Sequence, residues 1–261
     1  MSVKAFETRH QVRGYDCGYG GPFRPLSLAN YFQEAAGDHA LALGVGMSAM
    51  FDSGRTWMLS RIDIAVRRLP KSGDEVIVRT WPAGTSRLFA LRHLSLLSAS
   101  GELLAGARYD YLIVDMEKRR PLRPEKIIDP GMVGEYPPPC EGLSPGLQDE
   151  AGFAADELAL LKPSFSILAS PRHIDYNGHV NNAHIIDWLC DAPSRESRAS
   201  GALARLKVDF VAELRQGEEA SALSWEAGGS TRSALLRNGE LIAKAAISWA
   251  RDGAGQTIDR P

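Results

Sequence analysis

The chain has 261 residues, of which 44% are hydrophobic and 24% charged, with a formal net charge of -2. That length suits one large domain or two small ones, and the charge balance excludes the basic excess of a nucleic-acid binder. No apolar run approaches the ~20 residues that cross a bilayer, so no membrane segment is expected.

The stretch Met1 to Glu7 has no apolar signal core, which predicts a cytoplasmic location. Cys17, Cys140 and Cys190 are an odd count without C-x-x-C spacing. They predict a reducing compartment, with no disulfide framework and no zinc knuckle.

In chain order, Ser27 to Ala36 follows a Pro-Leu-Ser start and is rich in helix formers, and Gly37 is expected to end that helix. Ile62, Ile64 and Val66 alternate with Asp63, Ala65 and Arg67, the pattern of a half-buried strand. Lys71 to Asp74 reads as a hairpin turn, and Glu75 to Trp81 alternates again. After the turn Ser98–Gly101 a long strand runs from Glu102 to Val114. Asp129 to about Leu161 contains Pro137, Pro138 and Pro139 and then Gly142-Leu-Ser-Pro-Gly146, so it reads as a linker or crossover. Val180 to Leu189 is apolar around most of its circumference, as expected for a helix buried inside a curled sheet. Strands are then expected at Arg205–Leu214, Glu219–Glu226, Ser233–Leu236 and Leu241–Trp249.

The chain repeats itself. Leu59, Arg61, Gly73, Glu75 and Trp81 recur 144 residues later as Leu203, Arg205, Gly217, Glu219 and Trp225. Gly101-Glu-Leu-Leu-Ala recurs as Gly239-Glu-Leu-Ile-Ala at an offset of 138, so one connection is six residues shorter in the second copy. Solenoid periods run ~20–50 residues, so two copies at this spacing mean a duplicated fold rather than an array. Each copy reads as strand, turn, helix and then antiparallel strands. Aligning Phe6 with Phe165 pairs Asp16 with Asp175 and sets Gly18 and Gly20 against Asn177 and His179. On that alignment only the second copy carries an amide and an imidazole in its turn.

The second turn, His173-Ile-Asp-Tyr-Asn-Gly-His-Val-Asn-Asn182, resembles the D-x-N-x-H-V-N-N signature of acyl-ACP thioesterases. Trp57 to Arg61, Gly73-Asp-Glu-Val76, Arg119 and Arg120 resemble landmarks of that family's first half. The resemblance implies an α+β fold, a tandem double hot-dog in which each long helix is wrapped by a curved antiparallel sheet. The expected division is an N-terminal hot-dog over 1–128 that helps bury the acyl chain, a linker over 129–160 and a catalytic hot-dog over 161–261. Hydrolysis of fatty acyl-ACP in fatty acid biosynthesis is implied, with acyl carrier protein as partner and neither cofactor nor metal. Carried over position by position, the catalytic set is Asp175, Asn177, His179 and Glu213. The first repeat has Leu69 where Glu213 stands, which again favours a site in the second copy. Plant members have a cysteine directly after that glutamate; here the residue is Leu214, so no cysteine nucleophile is available there.

The expected chemistry is general-base hydrolysis at the start of the second helix, whose first N–H groups face no intrahelical acceptor. Asp175 would orient Asn177 or His179, and either His179 or Glu213 would take the proton. Competing readings are an acyl-CoA thioesterase, a dehydratase of the same fold, or a non-catalytic acyl-binding protein. The state is expected to be a monomer or homodimer, because a fused pair supplies its own sheet partner. Asn181 and Asn182 also suit simple helix capping. Gly142-Leu-Ser-Pro-Gly146 spells G-x-S-x-G, but Pro145 has no N–H for an oxyanion hole, which rules out a serine hydrolase there. Arg119, Arg120, Arg123 and Lys126 would suit an acidic carrier protein.

Overall fold

The computed structural model describes residues 4–18, 21–147, 153–194, 197 and 202–250. The first half contains strands β1 (Phe6–Gln11), β2 (Arg55–Val66), β3 (Glu75–Ser86), β4 (Phe89–Ser98), β5 (Leu103–Asp115) and β6 (Arg120–Leu122). It also contains helices α1 (Pro25–Ala42) and α2 (Met47–Asp52). The short helix α3 (Ala155–Leu158) precedes β7 (Phe165–Leu168), α4 (Asn182–Asp191), β8 (Leu203–Phe210), β9 (Glu219–Ala227), β10 (Ser230–Arg237) and β11 (Glu240–Trp249). The strands form one antiparallel sheet in the order β1-β3-β4-β5-β2-β8-β11-β10-β9-β7, with β6 added to β5. The two halves of that order mirror each other, so β1 to β5 correspond to β7 to β11.

The halves join where β2 pairs with β8. Asp63 lies opposite Lys207, its own equivalent at an offset of 144, so a pseudo-twofold axis passes through this pair. On the inner face Ile62, Ile64, Leu206 and Val208 are at most 1% exposed. Each such side chain contributes roughly 1.5–3 kcal/mol on burial. Both long helices lie against each other on this concave side, and residues of both halves share one core. Ile186 and Leu189 of α4 are fully buried, which explains the apolar circumference seen in sequence. This is the expected tandem double hot-dog.

Main-chain details repeat at the offsets read from sequence. The N–H groups of Arg67 and Arg68 both donate to the Leu104 carbonyl, and those of Val211 and Ala212 both donate to that of Ile242. The six extra residues of the first copy lengthen the β3–β4 hairpin, whose strands run 12 and 10 residues against 9 and 8 in β9–β10.

Several boundaries differ from expectation, and two of them have a clear physical cause. Helix α1 does not stop at Gly37 but runs on to Ala42, because the following turns bury His39 completely and outweigh the glycine. Gly37 faces solvent, and a Cβ there would meet nothing within 4 Å. Gly37→Ala is therefore expected to stabilise the fold by about 0.5–1 kcal/mol. The check is a higher denaturant midpoint with an unchanged slope. Strand β8 stops at Phe210 rather than Leu214, because the shared acceptor of Val211 and Ala212 breaks the ladder, so Glu213 stands beyond the strand.

The segment after β6 crosses the outer face of the sheet as a strap. Gly134 N donates to Pro82 O at 2.9 Å, and Tyr136 packs on Trp81 with ring centres 5.7 Å apart. Pro139 and Cys140 pass over Gly106, where a Cβ would lie 2.8 Å from the Cys140 sulfur. Ser144 N donates to Asp63 Oδ2 at 2.8 Å, and Leu147 N to Asp209 Oδ1 at 3.1 Å. Phe153 then packs on Trp225, the repeat equivalent of Trp81, at 5.1 Å. Asp63, on the strand face read as half-buried, is fully buried beneath this strap. Ser144 donates its hydroxyl to the same carboxylate and accepts from Lys207 Nζ at 2.7 Å.

Candidate active site

The turn between β7 and α4 is built by main-chain hydrogen bonds. Ala169 continues the β7–β9 ladder through Glu218 and Gly217, and a single helical turn follows at Pro171–His173. Ile174 then pairs with Val180 around a tight loop in which Asp175 N donates to His179 O and Gly178 N to Asp175 O. Gly178 has φ +81°, which favours the glycine of an Asn-Gly pair at this corner. Helix α4 starts two residues later, with Asn181 as N-cap accepting Ala183 N at 2.8 Å.

The first repeat makes the same loop, but in a different register from the one expected. Cys17 pairs with Phe23 as Ile174 does with Val180, an offset of 157. Gly18 N donates to Pro22 O and Gly21 N to Gly18 O, as their second-copy counterparts do. The equivalent of Asp175 is therefore Gly18, and Asp16 corresponds to His173. The pairing of Asp16 with Asp175 is two residues out. Phe6 opens a six-residue edge strand, whereas Phe165 opens one of only four, so matching the two phenylalanines slips the turn. His179 stands at the place of Pro22. Gly20, the sequence counterpart of Asn177 at this offset, lies outside the described residues. Asp175 thus joins His179 as a feature of the second copy alone.

Asp175 holds the loop's amide residue. Its Oδ1 accepts Asn177 N at 2.8 Å and its Oδ2 accepts Asn177 Nδ2 at 3.4 Å. The Asn177 Oδ1 is buried and has no hydrogen-bond partner among the described residues. Across the loop, His179 pairs with Arg215 as an isolated bridge, and Val180 N donates to Leu214 O at 2.7 Å. This short antiparallel contact lays Glu213 beside His179, with Nε2 to Oε2 at 2.9 Å. The two side chains are 28% and 43% exposed, so a solvent molecule can reach the pair. Arg215 approaches the same carboxylate at 3.5 Å, and Arg237 donates to the Glu213 carbonyl at 3.1 Å. The four residues expected from sequence therefore converge on one corner at the start of α4.

Some of the supposed oxyanion donors are taken. The Asn181 side chain engages Ala183 N and its carbonyl accepts His184 N at 2.9 Å, which leaves Asn182 N as the first-turn donor the cap does not engage. Gln33 of α1 donates to Asn181 Oδ1 at 3.3 Å and so ties the first half to the site, a contact across 148 residues that no local pattern signals. His173 and His184 pack edge to face, with ring centres 5.0 Å apart. Among the described residues no three His, Cys, Asp or Glu side chains are grouped to hold a metal ion. Among the described residues Cys17, Cys140 and Cys190 are thiols outside any disulfide.

Comparison with known proteins adds a second line of observation. Residues 3–130 match the acyl-ACP thioesterase N-terminal domain and residues 168–251 the acyl-ACP thioesterase C-terminal domain. The chain belongs to the acyl-ACP thioesterase family. Among relatives, it is 24% identical over 263 residues to a chloroplastic dodecanoyl-[acyl-carrier-protein] hydrolase of Cinnamomum camphora, covering 94% of this chain and 67% of that one. It is 25% identical over 241 residues to a chloroplastic palmitoyl-acyl carrier protein thioesterase of Gossypium hirsutum, covering 88% of this chain but only 57% of the relative. The chain thus spans about three-fifths to two-thirds of the length of these plant acyl-ACP thioesterases. In fold it is similar to an acyl-ACP thioesterase of Bacteroides thetaiotaomicron, with TM-score 0.80, 24% identity and coverage of 94% and 97% of the two chains. It is also similar to the 12:0-ACP thioesterase of Umbellularia californica, with TM-score 0.74, 20% identity and coverage of 95% and 98%.

Proposed function

We propose that this protein hydrolyses fatty acyl-ACP thioesters to free fatty acid and acyl carrier protein, in cytoplasmic fatty acid biosynthesis. The observation that carries this reading is the 2.9 Å contact between His179 and Glu213 at the mouth of α4, in a chain of this family. Asp175, Asn177, His179 and Glu213 are the proposed catalytic residues. Asp175 fixes the Asn177 amide, which leaves its Oδ1 as a buried acceptor for one hydrogen of the attacking water. The His179–Glu213 pair takes the other proton as the water oxygen bonds to the thioester carbon. Asn182 N, at the positive end of α4, stabilises the oxyanion. The carbonyl then re-forms, the carbon–sulfur bond breaks, and the thiolate leaves with the proton that the pair held.

The first half would bury the acyl chain, and residues 129–160 would link it to the catalytic half. One chain supplies both halves of the sheet, so a monomer is competent and a homodimer is not required. The exposed Arg119, Arg120, Arg123 and Lys126 suit the acidic face of a carrier protein.

The test is a panel of acyl-ACPs of varied chain length beside the matched acyl-CoAs, reading released thiol and fatty acid. Turnover with kcat/KM at least ~10-fold higher for acyl-ACP is the expected result. Higher kcat/KM for acyl-CoA would assign the sister activity instead, and stoichiometric lipid binding without turnover would assign a carrier.

A further inference from the structure

We propose that His173 is a positioning residue for the catalytic turn, its imidazole clamping the loop that presents Asp175, Asn177 and His179. This rests on the hydrolytic reading above for its effect on rate, though not for the clamp itself. His173 Nδ1 accepts Ser170 N at 3.1 Å, closing the helical turn that leads into the site. Its carbonyl accepts Asn181 N at 2.9 Å, which anchors the N-cap of α4. One residue thus holds both ends of the catalytic loop. The ring is 8% exposed and sits against His184 and Trp188 of α4, with centres 5.0 and 5.1 Å away.

The other repeat supports the assignment. Asp16 stands at the equivalent position, its Oδ2 accepts Arg13 N at 2.8 Å, and its carbonyl accepts Arg24 N at 2.9 Å. The same clamp is therefore made twice, once by a carboxylate on the half without the Asp/Asn/His set and once by an imidazole on the half that has it. The chemical difference matters. A carboxylate accepts an N–H through either oxygen, whereas Nδ1 accepts from Ser170 only while it is itself unprotonated; Arg172 Nε, 3.2 Å from Nε2, competes for the ring, because a neutral imidazole accepts at only one of its two nitrogens.

The titratable and charged groups facing the ring are Arg172 and His184. Burial, with Arg172 beside it, holds the His173 pKa below its ordinary value, and burial with His173 beside it lowers that of His184. A histidine lowered in the folded state contributes stability that is complete above about pH 6.5 and is lost as pH falls through the folded pKa. The clamp is therefore closed at neutral pH and opens in acid.

The experiment compares the wild-type chain, His173→Ala and His173→Asp from pH 8 to pH 5.5, following kcat and KM separately and amide exchange at residues 170–181. At pH 8, His173→Ala should lower kcat about 10–100-fold, as expected for a displaced catalytic group, with KM little changed. It should also speed exchange at Ser170 and Asn181. His173→Asp should stay within about threefold of wild type in kcat at pH 8 and keep its exchange protection factors as pH falls, where those of the wild type drop once the ring protonates. Wild-type kcat and exchange in His173→Ala, or no recovery in His173→Asp, would overturn the proposal. Absence of thioester turnover in the wild type would sink the functional reading instead, while the exchange comparison still decides the clamp.

Discussion

Glu213→Ala and His179→Ala are each expected to lower kcat by ~10²–10⁴-fold on a good acyl-ACP, the range general-base assistance contributes. The fold should survive both. Glu213 is 43% exposed, and the first repeat has leucine at its equivalent position in the same main-chain setting. Glu213→Leu is therefore a built-in control for structure, and Glu213→Gln keeps the shape while removing the charge. Because the two side chains touch at 2.9 Å, they should act as a unit. The double variant should then lose little more than the worse single one, since effects within one catalytic unit are not additive. Additive losses would mean that each residue acts alone on substrate. Near-wild-type turnover in both single variants would remove the chemistry from this corner altogether. Asn177→Ala should fall between these limits, because it removes an acceptor for the water but leaves the proton acceptors in place.

What could be read in advance depended on whether the cause was local. The turn chemistry of Asp175 to Gly178 and the cap at Asn181 follow from residues within six positions, and both stand where the motif put them. The repeat offsets of 144 and 138 were legible because glycine turns and strand landmarks recur at fixed places. The register of the two turns was not, because an edge strand can begin early or late without disturbing its ladder. Only the paired bridges Cys17–Phe23 and Ile174–Val180 reveal that Gly18, not Asp16, matches Asp175. Glu213 came from family resemblance, and geometry explains its place through the Val180–Leu214 hydrogen bond rather than through strand periodicity. The Gln33–Asn181 contact and the burial of Asp63 depend on chain segments more than 80 residues distant, and nothing in their neighbourhoods announces them.

Asp63→Ala is expected to be the most destabilising single change in the sheet, by about 3–5 kcal/mol, because it strands buried charge. The carboxylate is fully buried on the pseudo-twofold axis. It accepts two hydrogen bonds from Arg205 at 2.6 Å, the Ser144 N–H at 2.8 Å and the Ser144 hydroxyl at 3.2 Å, with Lys207 at 3.9 Å. Removing it leaves a three-quarters-buried guanidinium without its carboxylate and frees the middle of the strap. Asp63→Asn should cost less, since an amide oxygen still accepts from Ser144 while the charge pairing is lost. The loss should appear as a lower denaturant midpoint and as new proteolytic cleavage near Pro139–Gly146. Gly146→Val offers an independent route to the same state: a Cβ there would clash with Asp209 Oδ1 and with the Arg61 side chain, and φ is +54°, which a β-branched residue resists. If neither variant moved the midpoint, the strap would be a passive connection. If both do, the strap is what holds the outer faces of the two halves in register, and with them the contact between α1 and α4 on which the site is built.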